Sequence, residues 1–569
     1  MTNKEILIMS NAMFCYQCQE ASKNIGCTVL GVCGKTAEVA NLQDLLIYLL
    51  KGISFWGTRG RDMGVIHPET DLFVAQTLFT TITNANFDSD RFIEYIREAI
   101  DRRETLREEA QIRCEELHGN PCTGTGPDWA GWKPESYEID ALLEKATQVG
   151  VMMDKNLDAD IRSLRELMVY GLKGMAAYTE HAYVLGKRDP ELLYFMQDML
   201  EATTNNDLMP EELTGLVLKT GEMGLRAMAL LDKANTEAFG HPEPTQVYLG
   251  VRPGPGILVS GHDLLDLDKL LQQTQGTGIN IYTHCEMLPA QAYPAFKKYE
   301  HFAGNYGGSW WGQREEFESF GGPILMTTNC IVKPKDSYIN RLFTTGQAGY
   351  PGCTHIPDRK PGDQKDFSAI IELAKTCSDP EPLEEKTITT GFARHTVLQH
   401  ADAVADAVQS GDIQRFVVMG GCDGRQKTRQ YYTDVADALP DNTVILTAGC
   451  AKYRYNKLDL GSINGIPRIL DAGQCNDSYS LIRTAQTLAG AFKVGDVNDL
   501  PISYDIAWYE QKAIIVLLAL LHLGVRKIRV GPTLPAFLSP NVISVLVKNF
   551  DLKPIALVNE DITAMMAGQ

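Results

Sequence analysis

The chain has no surplus of positive charge to offer a nucleic acid or an anionic membrane. Lys and Arg number 53 against 72 Asp and Glu, a formal charge of −19. A surface of that sign repels phosphate backbones and acidic lipid, so neither nucleic acid nor membrane is an expected partner. Long apolar runs are missing too. The longest, Ala513 to Val525, contains His522 and is too short to span a bilayer, so it is expected to form a buried helix. The opening residues MTNKEILIMSNAMF lack the basic and apolar blocks of a secretory leader. There is no tandem repeat and no low-complexity tract, and the glycines between Gly250 and Gly261 do not form G-x-G-x-x-G after a strand, so no nucleotide is expected. Thirteen cysteines are too few for a disulfide scaffold in 569 residues. The expectation is a cytoplasmic protein whose thiols stay reduced, in which clustered cysteines serve metal binding or catalysis.

Three regions differ in texture. From about residue 36 to 235, segments such as NLQDLLIYLLKGISFW and IRSLRELMVYGLKGMAAYTEHAYVL place apolar residues at helical spacing. Pro/Gly clusters at 240–244 and 253–256 then mark a boundary, and Ser378-Asp379-Pro380-Glu381-Pro382 marks another. Beyond the first boundary, short apolar strands alternate with helices: GILVSGHD, INIYTHCE, PILMTTNC, RFVVMGGCDG, TVILTAGC, RILDAGQC, KIRVGPT and PIALVNE. That alternation predicts parallel, doubly wound sheets. The expected division is a helical bundle domain at 1–239 and two Rossmann-like α/β domains at 240–383 and 384–569.

Cys15, Cys18, Cys27 and Cys33 form C-x2-C-x8-C-x5-C within nineteen residues. Four soft thiolates so close suit an iron–sulfur cluster or zinc. A zinc ribbon more often shows two C-x2-C knuckles. Gly26, Gly31 and Gly34 lie among these cysteines, where close backbone approach would tune a redox centre.

Cys330, Cys422, Cys450 and Cys475 each follow an apolar run, His262 ends GILVSGHD, and His284, Cys285 and Glu286 end INIYTHCE. The carboxyl ends of strands are where ligands bind in open α/β sheets. One strand-end cysteine is usually an inert thiol; six such segments point to a shared crevice.

These motifs resemble the hybrid-cluster (prismane) proteins along essentially the whole chain. The resemblance is carried by F-C-Y-Q-C at 14–18, S-G-H-D-L at 260–264, Y-T-H-C-E-M-L-P-A at 282–290 and T-T-N-C at 327–330. It continues through G-G-C-D-G at 420–424, G-C-A-K-Y at 449–453, D-A-G-Q-C-N-D at 471–477 and W-Y-E-Q-K-A at 508–513. It implies a 4Fe–4S cubane on Cys15, Cys18, Cys27 and Cys33, since the class with longer spacings is associated with a 2Fe–2S centre. It implies a hybrid 4Fe–2S–2O cluster on His262, Glu286, Cys330, Cys422, Cys450, Cys475 and Glu510, with Cys422 able to carry a persulfide. The strand-end argument alone does not find Glu510, which by itself reads as a helix cap. Cys285 beside Glu286 reads as a spectator thiol or an added redox-sensitive group. Fourteen residues precede Cys15, and Met13 directly before Phe14 leaves open whether residues 1–12 are an extension.

The resemblance further implies reduction of hydroxylamine to ammonia and water, or of nitric oxide to nitrous oxide in nitrosative-stress defence. His262, Glu286, Glu510 and Cys422 would centre the chemistry, with His284 and Lys512 as candidate proton carriers by sequence proximity. A separate ferredoxin-type protein or reductase would supply electrons, because no flavin or ferredoxin module is fused. The rival readings are a non-turnover nitric oxide scavenger, a protein trans-nitrosylating factor, and a nickel–iron–sulfur carbon monoxide dehydrogenase. Cys114, His118 and Cys122 offer only three ligands near an expected helix end, and Glu180-His181 reads as an interior pair.

Overall fold

The computed structural model describes residues 12–120, 122–358 and 364–569. The question raised by residues 1–12 therefore falls, Ala12 apart, outside the described residues.

Helices dominate the chain up to Phe239. Ala37–Asp62 starts where Thr36 Oγ1 accepts a hydrogen bond from the Val39 amide at 3.2 Å. Leu42, Leu45, Leu46, Leu49 and Ile53 recur at helical spacing and are fully buried, each stabilising the fold by roughly 1.5–3 kcal/mol. Ser89–His118 ends at Gly119, whose φ of 71° is the left-handed conformation glycine adopts at no steric cost. The predicted helix end near Cys114 is thus present.

Two six-stranded sheets follow, and every strand pair within them is parallel. The first runs Phe302–Asn305, Asn280–His284, Gly256–Ser260, Ile324–Met326, Leu342–Thr345, Thr354–Ile356. The second runs Ile469–Asp471, Thr443–Thr447, Arg415–Val418, Ile502–Ala507, Ile528–Gly531, Lys553–Pro554. Counted along the chain, each sheet has the order 3-2-1-4-5-6, the dinucleotide-fold arrangement whose switch point lies between strands 1 and 4. Gly256–Ser260 and Thr443–Thr447 are buried along their whole length, as strands covered on both faces must be. PIALVNE contributes only its first residue to a strand, as the end of Lys553–Pro554, and turns into the helix Val558–Met566. A short antiparallel ribbon joins Thr245–Tyr248 to Thr387–Thr390.

The apolar stretch near residue 513 is the buried helix Gln511–His522. It leaves the second sheet and packs between Ala159–Val184 and Pro210–Phe239. Glycines form its seat: a Cβ on Gly174 would lie 2.3 Å from Gln511 O, and one on Gly221 would lie 2.1 Å from Leu518 O. The last third of the chain is thereby locked into the helical region.

One cysteine expectation fails. Cys114 and Cys122 form a disulfide, with Cα atoms 6.1 Å apart. The left-handed turn at Gly119 folds the chain back so that the two thiols meet, and His118 is not needed to link them. The other eleven cysteines are free.

Candidate metal centre

Seven ligand-type side chains sit just past strand ends at equivalent places in the two sheets. In the first, strand 1 leads to His262, strand 2 to Glu286 and strand 4 to Cys330; in the second, strands 1 to 4 lead to Cys422, Cys450, Cys475 and Glu510 in turn. His262, Cys330, Cys422 and Glu510 therefore mark the switch points of both sheets. All seven lie at least in part in the interior, and all but Cys330 are fully buried.

Nε2, carboxylate and Sγ atoms of His262, Glu286 and Cys475 come within 4.8 Å of one another. Glu286 Oε2 accepts the Cys475 amide at 2.9 Å, while Glu286 Oε1 is buried and has no hydrogen-bond partner among the described residues. An unsatisfied buried carboxylate oxygen is costly unless something binds it. Glu510 caps its helix, Oε2 accepting from the Lys512 amide at 2.9 Å. The Lys512 ammonium sits among these groups, 2.8 Å from His262 Nε2, 2.8 Å from Asn329 Oδ1 and 3.7 Å from Glu510 Oε1.

Electrostatics select for a cation. Burial pushes the Cys330, Cys422 and Cys475 thiols far up, and neighbouring acids and thiols add to it; contact with Cys285 and then burial do the same to Cys450. Burial also raises the Glu286 carboxyl. A soft, positively charged centre would relieve both effects by binding thiolates, imidazole and carboxylate together. Burial, then Lys512 and His181, hold His262 far below its usual value, as the neutral form a metal ligand needs. Its Nδ1 is fixed by Thr328 Oγ1 at 2.7 Å, which orients the ring.

A backbone pair ties Cys15 to Cys27, at 3.0 and 2.8 Å, and Cys15, Cys27 and Cys33 lie near enough for their charges to act on Cys18. Burial, then the charges of Cys33 and Cys15, push the Cys18 thiol up, and burial raises Cys33 as well. Gly31 permits the close approach expected of it, since a Cβ there would lie 3.0 Å from Cys33 Sγ; Gly26 instead makes room for the Phe14 ring. The loop is stitched to the other site: the Gln19 amide donates to Tyr509 O at 2.9 Å and Gln511 Nε2 donates to Gln17 O at 2.7 Å.

The two proton-carrier candidates separate. Lys512 lies within the cluster of ligands. His284 does not: its ring nitrogens are engaged by Ser260 Oγ and Glu316 Oε2, each at 2.9 Å, and its ring packs edge-on against Phe317. Cys285 is buried against Cys450. Sequence reasoning missed the groups that hold the ligands in place. Gln474 Nε2 donates to the carbonyls of Glu286 and His262 at 2.8 and 3.2 Å, and Asn329 Nδ2 donates to Cys330 Sγ at 3.3 Å. It also missed the strand Ile502–Ala507, whose end would have pointed to Glu510; Asp505 interrupts its apolar pattern. A cavity of about 410 Å³ reaches from exposed Gln486, Gly495 and Asp496 to Cys422 and Cys475, walled mainly by aliphatic side chains such as Leu446, Ile482, Val516 and Leu520.

The chain is 60% identical over 558 residues to the hydroxylamine reductase of Halothermothrix orenii, covering 98% of this chain and all of that protein. It is 58% identical over 559 residues to the hydroxylamine reductase of Nitratidesulfovibrio vulgaris, with the same coverage. Carbon monoxide dehydrogenase IV from Carboxydothermus hydrogenoformans superposes with a TM-score of 0.56 at 17% identity, over 98% of this chain and 92% of that one, a likeness of fold alone. Residues 13–563 match one family throughout, and with these relatives at full length the chain belongs to the Prismane/CO dehydrogenase family.

Proposed function

We propose that the protein reduces hydroxylamine, NH2OH + 2 e⁻ + 2 H⁺ → NH3 + H2O. The observation that carries this reading is the meeting of ligand atoms of His262, Glu286 and Cys475 within 4.8 Å, the second Glu286 oxygen being buried without a partner among the described residues, in a chain so similar to named hydroxylamine reductases. Cys15, Cys18, Cys27 and Cys33 would hold a 4Fe–4S cluster. His262, Glu286, Cys330, Cys422, Cys450, Cys475 and Glu510 would hold a hybrid 4Fe–2S–2O cluster. When bound, these groups supply single electrons and a Lewis-acidic centre for an N–O compound.

The chain's own residues supply the rest. The Lys512 Nζ lies 2.8 Å from His262 Nε2; burial lowers its ammonium, and the charges of Cys475, Glu510, Cys330 and Glu286, where ionised, raise it. Its ammonium would be a proton source for an N–O compound held among these ligands. Thr328 and Gln474 keep the His262 and Glu286 segments in register. His284, tied to Ser260 and Glu316, acts in the architecture of the first sheet rather than in proton delivery. The cavity's aliphatic walls suit small neutral molecules, which also favours a second reading, 2 NO + 2 e⁻ + 2 H⁺ → N2O + H2O.

We divide the chain at 1–239, 240–383 and 384–569, a reading supported by the change from helices to two successive parallel sheets, with the Thr245–Tyr248 ribbon tying the two α/β units. Electrons come from a separate donor. Among the described residues no helix is long and apolar enough to cross a membrane, and we place the reaction in the cytoplasm, where reduced carriers are at hand. The test is anaerobic turnover of the reduced holoprotein with hydroxylamine and nitric oxide side by side, quantifying ammonia and nitrous oxide. Ammonia beyond one equivalent per protein supports the reductase. Product that stops at one equivalent favours a scavenger or trans-nitrosylating factor and overturns it.

A further inference from the structure

Ile25, Val29, Leu30 and Val32 are 67, 73, 58 and 44% exposed, all within eight residues of one loop. The same loop carries Cys27 and Cys33. Apolar side chains gathered in this way on a soluble surface mark a place of contact with another molecule. The loop is also held in shape. The Cys15–Cys27 backbone pair anchors it, Gly31 N donates to Lys35 O at 2.8 Å, and Arg425 Nη2 donates to Val32 O at 2.8 Å. A preformed surface gives up little entropy on binding.

Its rim is positive. Lys23 lies on the loop and is exposed; exposed Lys333 adjoins Gly34; exposed Lys427 follows Gln426, whose side chain bonds Gln19. Glu20, the one acid from residue 12 to 37, is 3% exposed and ion-paired with Arg425. Among the described residues no carboxylate lies within ion-pair distance of Lys23, Lys333 or Lys427. In a chain of net charge −19, this is a local reversal of sign around an apolar centre, the usual anatomy of a transient protein interface.

We propose that this patch docks a small acidic iron–sulfur carrier of the ferredoxin type, delivering electrons to the centre held by Cys15, Cys18, Cys27 and Cys33. The proposal rests on the reading of those cysteines as a redox centre. Each encounter moves one electron: the carrier's cluster is oxidised, the N-terminal centre is reduced, and no bond forms or breaks. Two encounters supply the electrons that one hydroxylamine consumes. An acidic carrier is repelled by most of this surface, so the positive rim both draws it in and orients it with its apolar contact over Val29 and Leu30.

The test uses the anaerobic holoprotein and hydroxylamine, with a reduced acidic bacterial 4Fe–4S ferredoxin compared against methyl viologen as donor. The variant Lys23→Glu/Lys333→Glu/Lys427→Glu is expected to lower ferredoxin-driven kcat/KM about tenfold or more at low salt, leaving viologen-driven turnover unchanged. Salt should erase the wild-type advantage as the Debye length shortens. Val29→Ser/Leu30→Ser should raise the KM for ferredoxin several-fold at every salt concentration. Wild-type ferredoxin kinetics in both variants would overturn the proposal, as would a wild-type protein that viologen reduces and ferredoxin does not. If Cys27→Ala removes the N-terminal iron and ferredoxin electrons still arrive at the wild-type rate, the redox reading of those cysteines fails, and the patch with it.

Discussion

Replacing Gly174 by Ala should disable the catalytic site without touching any residue in it. The new Cβ would stand 2.3 Å from Gln511 O and 2.8 Å from Ile515 Cγ2, where ordinary contact begins near 3.4 Å. The helix Gln511–His522 must then retreat by about 1 Å at its first turn, where Glu510 and Lys512 flank Gln511. Overpacking of this kind costs about 1–3 kcal/mol, against a gain of about 0.5–1 kcal/mol from removing a glycine inside a helix. The net expectation is a loss of about 0–2.5 kcal/mol. A 1 Å displacement of reacting groups can lower the rate about 100-fold, so turnover should fall between about tenfold and 100-fold, with the N-terminal iron retained. Gly215→Ala is the control: it lies in the helix Pro210–Phe239 with nothing within 4 Å of its Cβ, and should raise the urea midpoint with full activity. Anaerobic urea titration, iron analysis and electron paramagnetic resonance give the readouts. A Gly174→Ala protein that matches Gly215→Ala in midpoint and turnover would refute the seating argument.

Glu286→Gln and Cys450→Ala should each abolish turnover and remove the signals of the hybrid site while leaving those of the N-terminal centre; Cys377→Ala should change neither. Lys512→Met should lower turnover at least about tenfold, whereas His284→Gln should keep most of it and lower the unfolding midpoint; comparing the two variants' rates and midpoints decides this. Asp505 is fully buried, and burial followed by the charge of Asp561 pushes its carboxyl up to about 7. The folded state therefore keeps a proton that the unfolded state has already released, so this residue's contribution to stability falls as pH rises from about 4 to about 7. Asp505→Asn should stabilise the protein by on the order of 2–4 kcal/mol at pH 8 and little at pH 5; equal effects at both pH values would contradict the assignment.

The sequence made much of this legible because parallel strands announce themselves. GILVSGHD, TVILTAGC and RILDAGQC are short apolar runs with a chemical group at the end, and each became a strand with a ligand-type residue beyond it. Charge inside a strand hid the rest: Asp505 masked Ile502–Ala507 and with it the strand-end origin of Glu510. Polar and short edge strands such as Thr354–Ile356 carried too little pattern to be seen. Partners on distant segments could not be read at all. Nothing near His284 announces that Glu316 takes its Nε2, and proximity in sequence does not reveal that its ring lies against Ser260, Glu316 and Phe317 while Lys512 lies among the ligand-type groups. The Cys114–Cys122 bond depends on how the turn at Gly119 folds back, which spacing does not reveal.

The seven strand-end side chains span residues 262 to 510, and the sheet bearing the last of them is completed by Ile528–Gly531 and Lys553–Pro554. This pocket therefore cannot form until residues through 510 and the strands beside them have left the ribosome. A product shortened by its last sixty residues would lose Glu510 along with the two strands that brace it, and would be unable to finish maturing however well its helical half folded.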